Sequence, residues 1–283
     1  MTGEVRVFVG RFGRVALLER TPTIAEHAHA QAHALIKVSG ADAIFRVEGR
    51  EQLLDAGSAV LIDPWAVHAG LPLADGATAQ LLALYIAPYW FERSVQAAIA
   101  AGRRRVFSTP RAPLVPAVQA EADRVLALMR DDAVDDDALD RACDLLFRAV
   151  VTCYGAADLG EGHRADPRPS DYRIRRAILH MRDNPGMALD IDAGAALAGL
   201  SRSRFFELFR ACTGVSPRVY ANALCIEAAI EMLGTSTMPI HAIAARLGFS
   251  APSHFTRFFL QHLGSTPRAF RNGVRRCALA PGA

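Results

Sequence analysis

The sequence predicts an α+β multidomain chain: a β-barrel plus helices at the N-terminal side, then an all-α C-terminal domain holding two helix-turn-helix units. Three observations lead there. Residues 5–85 alternate apolar and polar side chains in short runs punctuated by Gly, Pro and Asp, the period of half-buried strands. After Pro88 the apolar spacing becomes helical. The C-terminal third then carries one short pattern written twice.

The strand runs include Leu35–Val38, Ala43–Val47, Gln52–Leu54 and Ala59–Ile62, and Val47-Glu-Gly-Arg50 has the composition of a hairpin turn. Many short strands at close spacing indicate a sandwich or small barrel over residues 1–90. Helical spacing follows in Tyr89–Ala101, Pro116–Arg130 and Asp137–Tyr154, where Leu139, Cys143, Leu145, Leu146 and Val150 make one apolar side. Residues 91–155 are therefore expected to be a helical dimerisation region, unless that side is spent on covering the barrel. Residues 156–170, rich in Gly, Pro and charge, are expected to be a linker. Residues 171–276 are expected to be helical and to bind DNA, with a frayed tail after Cys277.

The first copy of the repeat runs from Ile191 through Gly199 and Ser201 to Phe205, Phe209, Gly214 and Pro217. The second runs from Ile240 through Gly248 and Ser250 to Phe255, Phe259, Gly264 and Pro267. The offset is 49 residues up to the serine and 50 after it. Gly199 and Gly248 fall where a helix must end in left-handed geometry. Ser201 and Ser250 are placed to cap the next helix. The paired phenylalanines, four apart, share a buried face. Outward positions are left to read DNA: Arg202, Ser203, Phe206 and Glu207 in the first unit, Pro252, Ser253, Thr256 and Arg257 in the second. Pro252 is tolerable in a first turn, where its missing N–H costs nothing. A helix from Pro217 to Leu233 would span roughly 25 Å, enough with the flanking units to set the two reading helices about 34 Å apart, one turn of B-DNA.

Residues 172–273 resemble the DNA-binding domain of AraC/XylS-type transcriptional regulators. The match includes Leu197-Ala-Gly-Leu-Ser201, Phe205, Phe209, Ser216-Pro217, Leu247-Gly-Phe-Ser250, His254-Phe255, Phe258-Phe259, Thr266-Pro267 and Phe270-Arg271. The resemblance implies that the eight outward residues contact bases and backbone. Glu207 departs from it, standing where a basic or amide residue is common, and Phe206 is bulky for a base contact.

In the N-terminal part, His27, His29 and His33 occupy odd positions, which in a strand would put all three on one side. A fourth, His68, ends Asp63-Pro-Trp-Ala-Val-His68. The two segments resemble the paired motifs of the cupin barrel, which implies a divalent-metal site with His27, His29 and His68 as ligands and His33 in the place of the usual Glu. An all-imidazole set suits Zn, Ni, Cu or Fe rather than Mg or Ca. Two other readings stand beside it: an organic effector pocket, with Phe45 and Trp65 in its lining, or a solvent-facing patch.

Residues 171–283 carry 14 Arg against 7 Asp and Glu, a net +7, while residues 1–170 carry a net −4. A basic third beside an acidic remainder suits double-stranded DNA as partner of that third only. Five cysteines at scattered spacings give no disulfide framework, and no leader or apolar span of membrane length is present. A cytoplasmic location, a homodimer and no membrane partner are expected. Nucleotide-binding and nucleophile-elbow motifs are absent, so the chain is expected not to be an enzyme. The alternative is a cupin-type dioxygenase or isomerase fused to a DNA-binding domain. The expectation is a transcriptional regulator whose barrel senses a small effector or a metal ion.

Overall fold

The computed structural model describes residues 5–20, 23–91, 105–131, 133–156, 171–186 and 191–277. The strands are β1 (Val5–Gly10), β2 (Gly13–Arg20), β3 (Ile24–His27), β4 (Ala32–Gly40), β5 (Ala43–Val47), β6 (Arg50–Leu54), β7 (Ser58–Ile62), β8 (His68–Gly70), β9 (Ala79–Ile86), β10 (Arg111–Pro113) and β11 (Val274–Arg276). They form two sheets, β10-β7-β4-β9-β2-β1-β11 and β3-β8-β5-β6. The hairpin turn between β5 and β6 is where the sequence places it, with Val47 opposite Arg50 and both Glu48 and Gly49 at positive φ.

The alternation of each strand divides the core. In β9, Leu81, Ala83 and Tyr85 face the smaller sheet, where Phe45, Val47 and Leu54 meet them. Leu82, Leu84 and Ile86 face the other way, onto helices α1 (Pro116–Arg130) and α2 (Asp136–Tyr154). A strand buried on both faces reads as a continuous apolar run, as β9 does.

Helix α2 puts Leu139, Cys143, Leu146, Phe147 and Val150 into this outer core. The stripe that suggested a dimer contact is thus turned onto the sheet, and of its length only Leu145 stands exposed as a large apolar side chain among the described residues. Asp140, buried in the same helix, accepts from the backbone N–H of Arg11 at 3.2 Å and from its guanidinium at 3.0 Å. Helix and barrel are held together at that point.

Three boundaries differ from expectation. The large sheet extends past residue 90, because β10 pairs with β7. Of the expected helix Tyr89–Ala101, a single 3-10 turn, Pro88–Trp90, falls among the described residues; residues 92–104 lie outside them, as do all but the first residue of the expected linker and the tail beyond Cys277. The expected helical domain ends in a strand: β11 pairs in parallel with β1, Val7 opposite Val274.

The C-terminal helices are α3 (Tyr172–Asp183), α4 (Ile191–Ala198), α5 (Arg202–Thr213), α6 (Pro217–Thr235), α7 (Ile240–Arg246), α8 (Pro252–Leu263) and α9 (Pro267–Gly273). They do not stand apart from the barrel. Ile226, Ile230 and Leu233 of α6 and Phe255, Phe258 and Phe259 of α8 share a core with Val5, Val7 and Leu81. On the other side, Ala28 and Trp65 of the barrel share a core with Phe205, Phe209 and Tyr220.

Candidate functional site

Helices α4 and α5 form the first helix-turn-helix unit and α7 and α8 the second. Gly199 and Gly248 both adopt the left-handed conformation, at φ 65° and 77°, where a side chain would be strained. Phe205, Phe209, Phe255 and Phe259 are all buried. Ser201 caps α5, accepting from the Arg204 N–H at 3.4 Å.

Ser250 does not cap α8. The residue before that helix is Ala251, with no side-chain cap, and Pro252 opens it. The second copy's extra residue falls here, so the serine is displaced by one position and its Oγ bonds His254 Nδ1 at 3.0 Å. Proline at the first position is pre-set for helix and leaves one orphan donor fewer to cap.

Of the expected DNA-reading residues, Arg202, Ser203, Glu207, Pro252, Ser253 and Arg257 are exposed, and Phe206 and Thr256 half-buried. Arg202 pairs with Asp192 at 2.6 Å and lies over the Phe206 ring. Glu207 pairs with Arg204 at 3.2 Å, so the acidic departure is neutralised by a basic neighbour that spacing did not single out.

The histidines come from different elements. His27 ends β3, His29 lies in the connection to β4, His33 is in β4 and His68 opens β8. They do not share one strand; the chain turns between β3 and β4 and brings them together. Ring centroids are 4.2 Å apart for His27 and His68, 5.0 Å for His29 and His68, and 5.8 Å for His27 and His29. One ligand nitrogen from each of these three lies within 4.8 Å of the others. His33 sits beside them, 5.3 Å from His29, stacked on Tyr85.

The hydrogen bonds decide which nitrogens face inward. Nδ1 of His27 bonds the Ala25 carbonyl at 2.8 Å, that of His29 the Gln31 carbonyl at 3.1 Å, and that of His68 the Ala66 carbonyl at 2.8 Å. A carbonyl only accepts, so each Nδ1 carries the proton and each Nε2 presents a lone pair. That backbone anchoring is how metal-binding imidazoles are oriented. The Nε2 atoms of His29 and His68, and both ring nitrogens of His33, are buried without a partner. Burial keeps all four rings neutral: it depresses His68 to about 4 and holds His27, His29 and His33 well below the ordinary range, with the His68 ring adding to the depression of these three.

The cavity at this cluster measures about 30 Å³ and is lined also by Phe45, Leu81 and Tyr85. Around 10–15 Å³ of such volume holds one water, whereas organic ligands occupy sites of roughly 300–1,000 Å³. The space is of the size of an ion with a water. A larger groove, about 370 Å³, lies away from the histidines, between Val7 of β1 and Asn272 of α9. Phe45 lines the histidine cavity as expected, but Trp65 does not. Its backbone is left-handed, at φ 63°, and its N–H donates to the His29 carbonyl at 2.8 Å, which turns the indole outward onto Tyr220.

Two contributors escaped the sequence. Tyr85 forms a wall of the cavity, under the guanidinium of Arg14 at 4.1 Å. His262, at the far end of α8, lines the same cavity from the DNA-binding side. Nothing in local spacing ties a residue so distant in sequence to the His27–His33 segment.

Comparison with known proteins bears on the helix-turn-helix units and on the fold. Residues 195–273 match the model of a helix-turn-helix domain family. The chain is 32% identical over 106 residues to RclR of Escherichia coli, an RCS-specific HTH-type transcriptional activator, covering 38% of this chain and 37% of that one. It is 38% identical over 79 residues to the transcriptional regulator ExsA of Pseudomonas aeruginosa, 28% of each chain. The matched stretch thus spans little more than a third of these relatives. ToxT from Vibrio cholerae shares the fold over nearly the whole length, with a TM-score of 0.53 at 14% identity, covering 96% of this chain and 99% of ToxT. Among the described residues no helix is long and apolar enough to cross a membrane. A mixed fold like that of ToxT, with sheets at the N-terminal side, here carries a helix-turn-helix domain over residues 195–273.

Proposed function

We propose that the chain is a transcriptional regulator that binds double-stranded DNA in a sequence-specific manner through α5 and α8, under the control of a cupin-like N-terminal domain that senses a transition-metal ion. The observation that carries the metal reading is the convergence of His27, His29 and His68, one ligand nitrogen of each within 4.8 Å of the others, with the Nε2 atoms of His29 and His68 buried without a partner beside a space of ionic size that His27 and His68 line. Buried polar atoms without partners cost about 1–3 kcal/mol each, and a cation removes that cost. Because the rings are already neutral, no proton has to leave before an ion binds. Zn, Ni, Cu or Fe suits such a donor set. The ion supplies a fixed positive centre; the chain's residues supply orientation, through the three backbone carbonyls, and exclusion of bulk water.

The test is elemental analysis of the full chain purified without chelator, followed by operator selection and affinity with and without the ion. Near one equivalent of metal per chain, lost in His29→Ala, with a change in DNA affinity on loading, is the expected result. No metal after incubation with Zn and Ni overturns the metal reading and returns the search to an organic effector.

A further inference from the structure

We propose that His262 supplies a fourth imidazole to the metal site, so that ion binding ties the second DNA-reading helix to the barrel. This rests on the metal reading above. His262 is the next-to-last residue of α8, whose first two turns carry Pro252, Ser253, Thr256 and Arg257. Its ring is buried and lies 6.1 Å from that of His27, edge to face. With Leu263 and Gly264 it forms part of the wall of the histidine cavity.

The tautomer is the one a ligand needs. His262 Nδ1 bonds the Phe258 carbonyl at 2.8 Å, so Nε2 carries the lone pair, as in His27, His29 and His68. This anchor is the carbonyl one helical turn back, which fixes the ring to α8 itself. The Cβ of any residue replacing Gly264 would lie 3.9 Å from Ile24 Cδ1, so the end of α8 rests directly on β3, the strand that ends in His27.

Among the described residues His27, His29 and His68 have ligand nitrogens within 4.8 Å of one another; His262 is not one of that set, its ring lying 6.1 Å from that of His27. An ion held by three imidazoles and completed by His262 must draw α8 inward. The ion then has one ligand more in the docked arrangement than in any arrangement with α8 released. A ligand shifts an equilibrium by its difference in affinity between the two states, and that fourth bond is the difference. Loading favours docking of the second unit; removal of the ion favours its release.

The experiment uses the full chain and Co²⁺ as a visible probe, with His262→Ala, its conservative partner His262→Gln, and His254→Ala as a control on the exposed face of the same helix. Co²⁺ is titrated into metal-free protein, and amide exchange along α8 is followed with and without the ion. The wild type and His254→Ala are expected to show an intense tetrahedral spectrum and slowed exchange in α8. Both His262 variants are expected to bind Co²⁺ at least tenfold more weakly, with a changed spectrum and no slowing. Unchanged affinity, spectrum and exchange in the His262 variants, with binding still lost in His29→Ala, overturn the role of His262 and leave the metal site standing. No Co²⁺ binding by the wild type overturns both.

Discussion

The indole of Trp65 lies flat on the phenol of Tyr220, with ring centroids 4.5 Å apart and planes within 12° of parallel. The contact joins the N-terminal sheets to the start of α6, and it is one step from the histidine cluster, because the Trp65 N–H is bonded to the His29 carbonyl. Tyr220 continues the path: its ring lies 5.5 Å from that of Phe209, and its hydroxyl accepts from Arg182 Nε at 3.2 Å. The histidine cluster therefore meets the first helix-turn-helix unit through Trp65.

Trp65→Ala is expected to destabilise the chain by about 3–5 kcal/mol, the usual cost of removing a buried aromatic ring. Tyr220→Phe keeps the stack and loses one hydrogen bond, for about 1 kcal/mol. Urea unfolding measures both; equal losses would show that the stack contributes nothing beyond that bond.

The two serines of the repeat are expected to behave differently. Ser201→Ala removes a helix cap and should cost about 0.5–2 kcal/mol. Ser250→Ala, which loses only an exposed bond to His254, should stay within about 0.5 kcal/mol. Thermal unfolding of the two variants side by side decides whether the second unit is uncapped.

Arg257→Ala is expected to weaken operator binding by about 1–3 kcal/mol if it meets a base edge. Glu207→Gln acts in the opposite direction by releasing Arg204 from its ion pair. Non-specific affinity should rise and the salt dependence should steepen by about one unit of slope. Fluorescence anisotropy over a range of salt reads both, and a flat response in Glu207→Gln would mean that Arg204 does not approach phosphate.

Asp171 caps α3 and pairs with Arg173, whose hydrogen bonds hold the carboxyl down at about 2. A carboxyl depressed in the folded state adds stability above its unfolded value, about 3.9, and loses it as pH falls through 2. The protection of amides at the start of α3, taken relative to their intrinsic exchange at each pH, should be constant above pH 4 and fall between pH 4 and pH 2. Asp171→Asn should show no such loss of protection in that window.

The repeat was the most legible part of the sequence, because each of its residues answers a local demand: glycine for a left-handed turn, phenylalanines four apart for one buried face. Where a local rule was shifted by one residue, at Ser250, the inserted position moved the cap and the pattern did not show it. The histidines were legible as a set but not as a geometry, since the turn between β3 and β4, not strand alternation, assembles them. Trp65 was misplaced because its direction depends on a left-handed backbone that no composition rule assigns to tryptophan. His262 and β11 were invisible for a common reason: their partners lie near the opposite end of the described chain, and spacing carries no signal over that distance.

The pairing of β11 with β1 has a consequence for synthesis. β1 leaves the ribosome before every other described strand and β11 after them all. At translation rates of about 5–20 residues per second, the outer edge of β1 waits roughly 15–50 s for its partner, with its backbone donors and acceptors bare. Unpaired strand edges are templates for aggregation. The last described strand, contributed by the C-terminal third, thus covers an edge that the N-terminal sheet would otherwise leave bare.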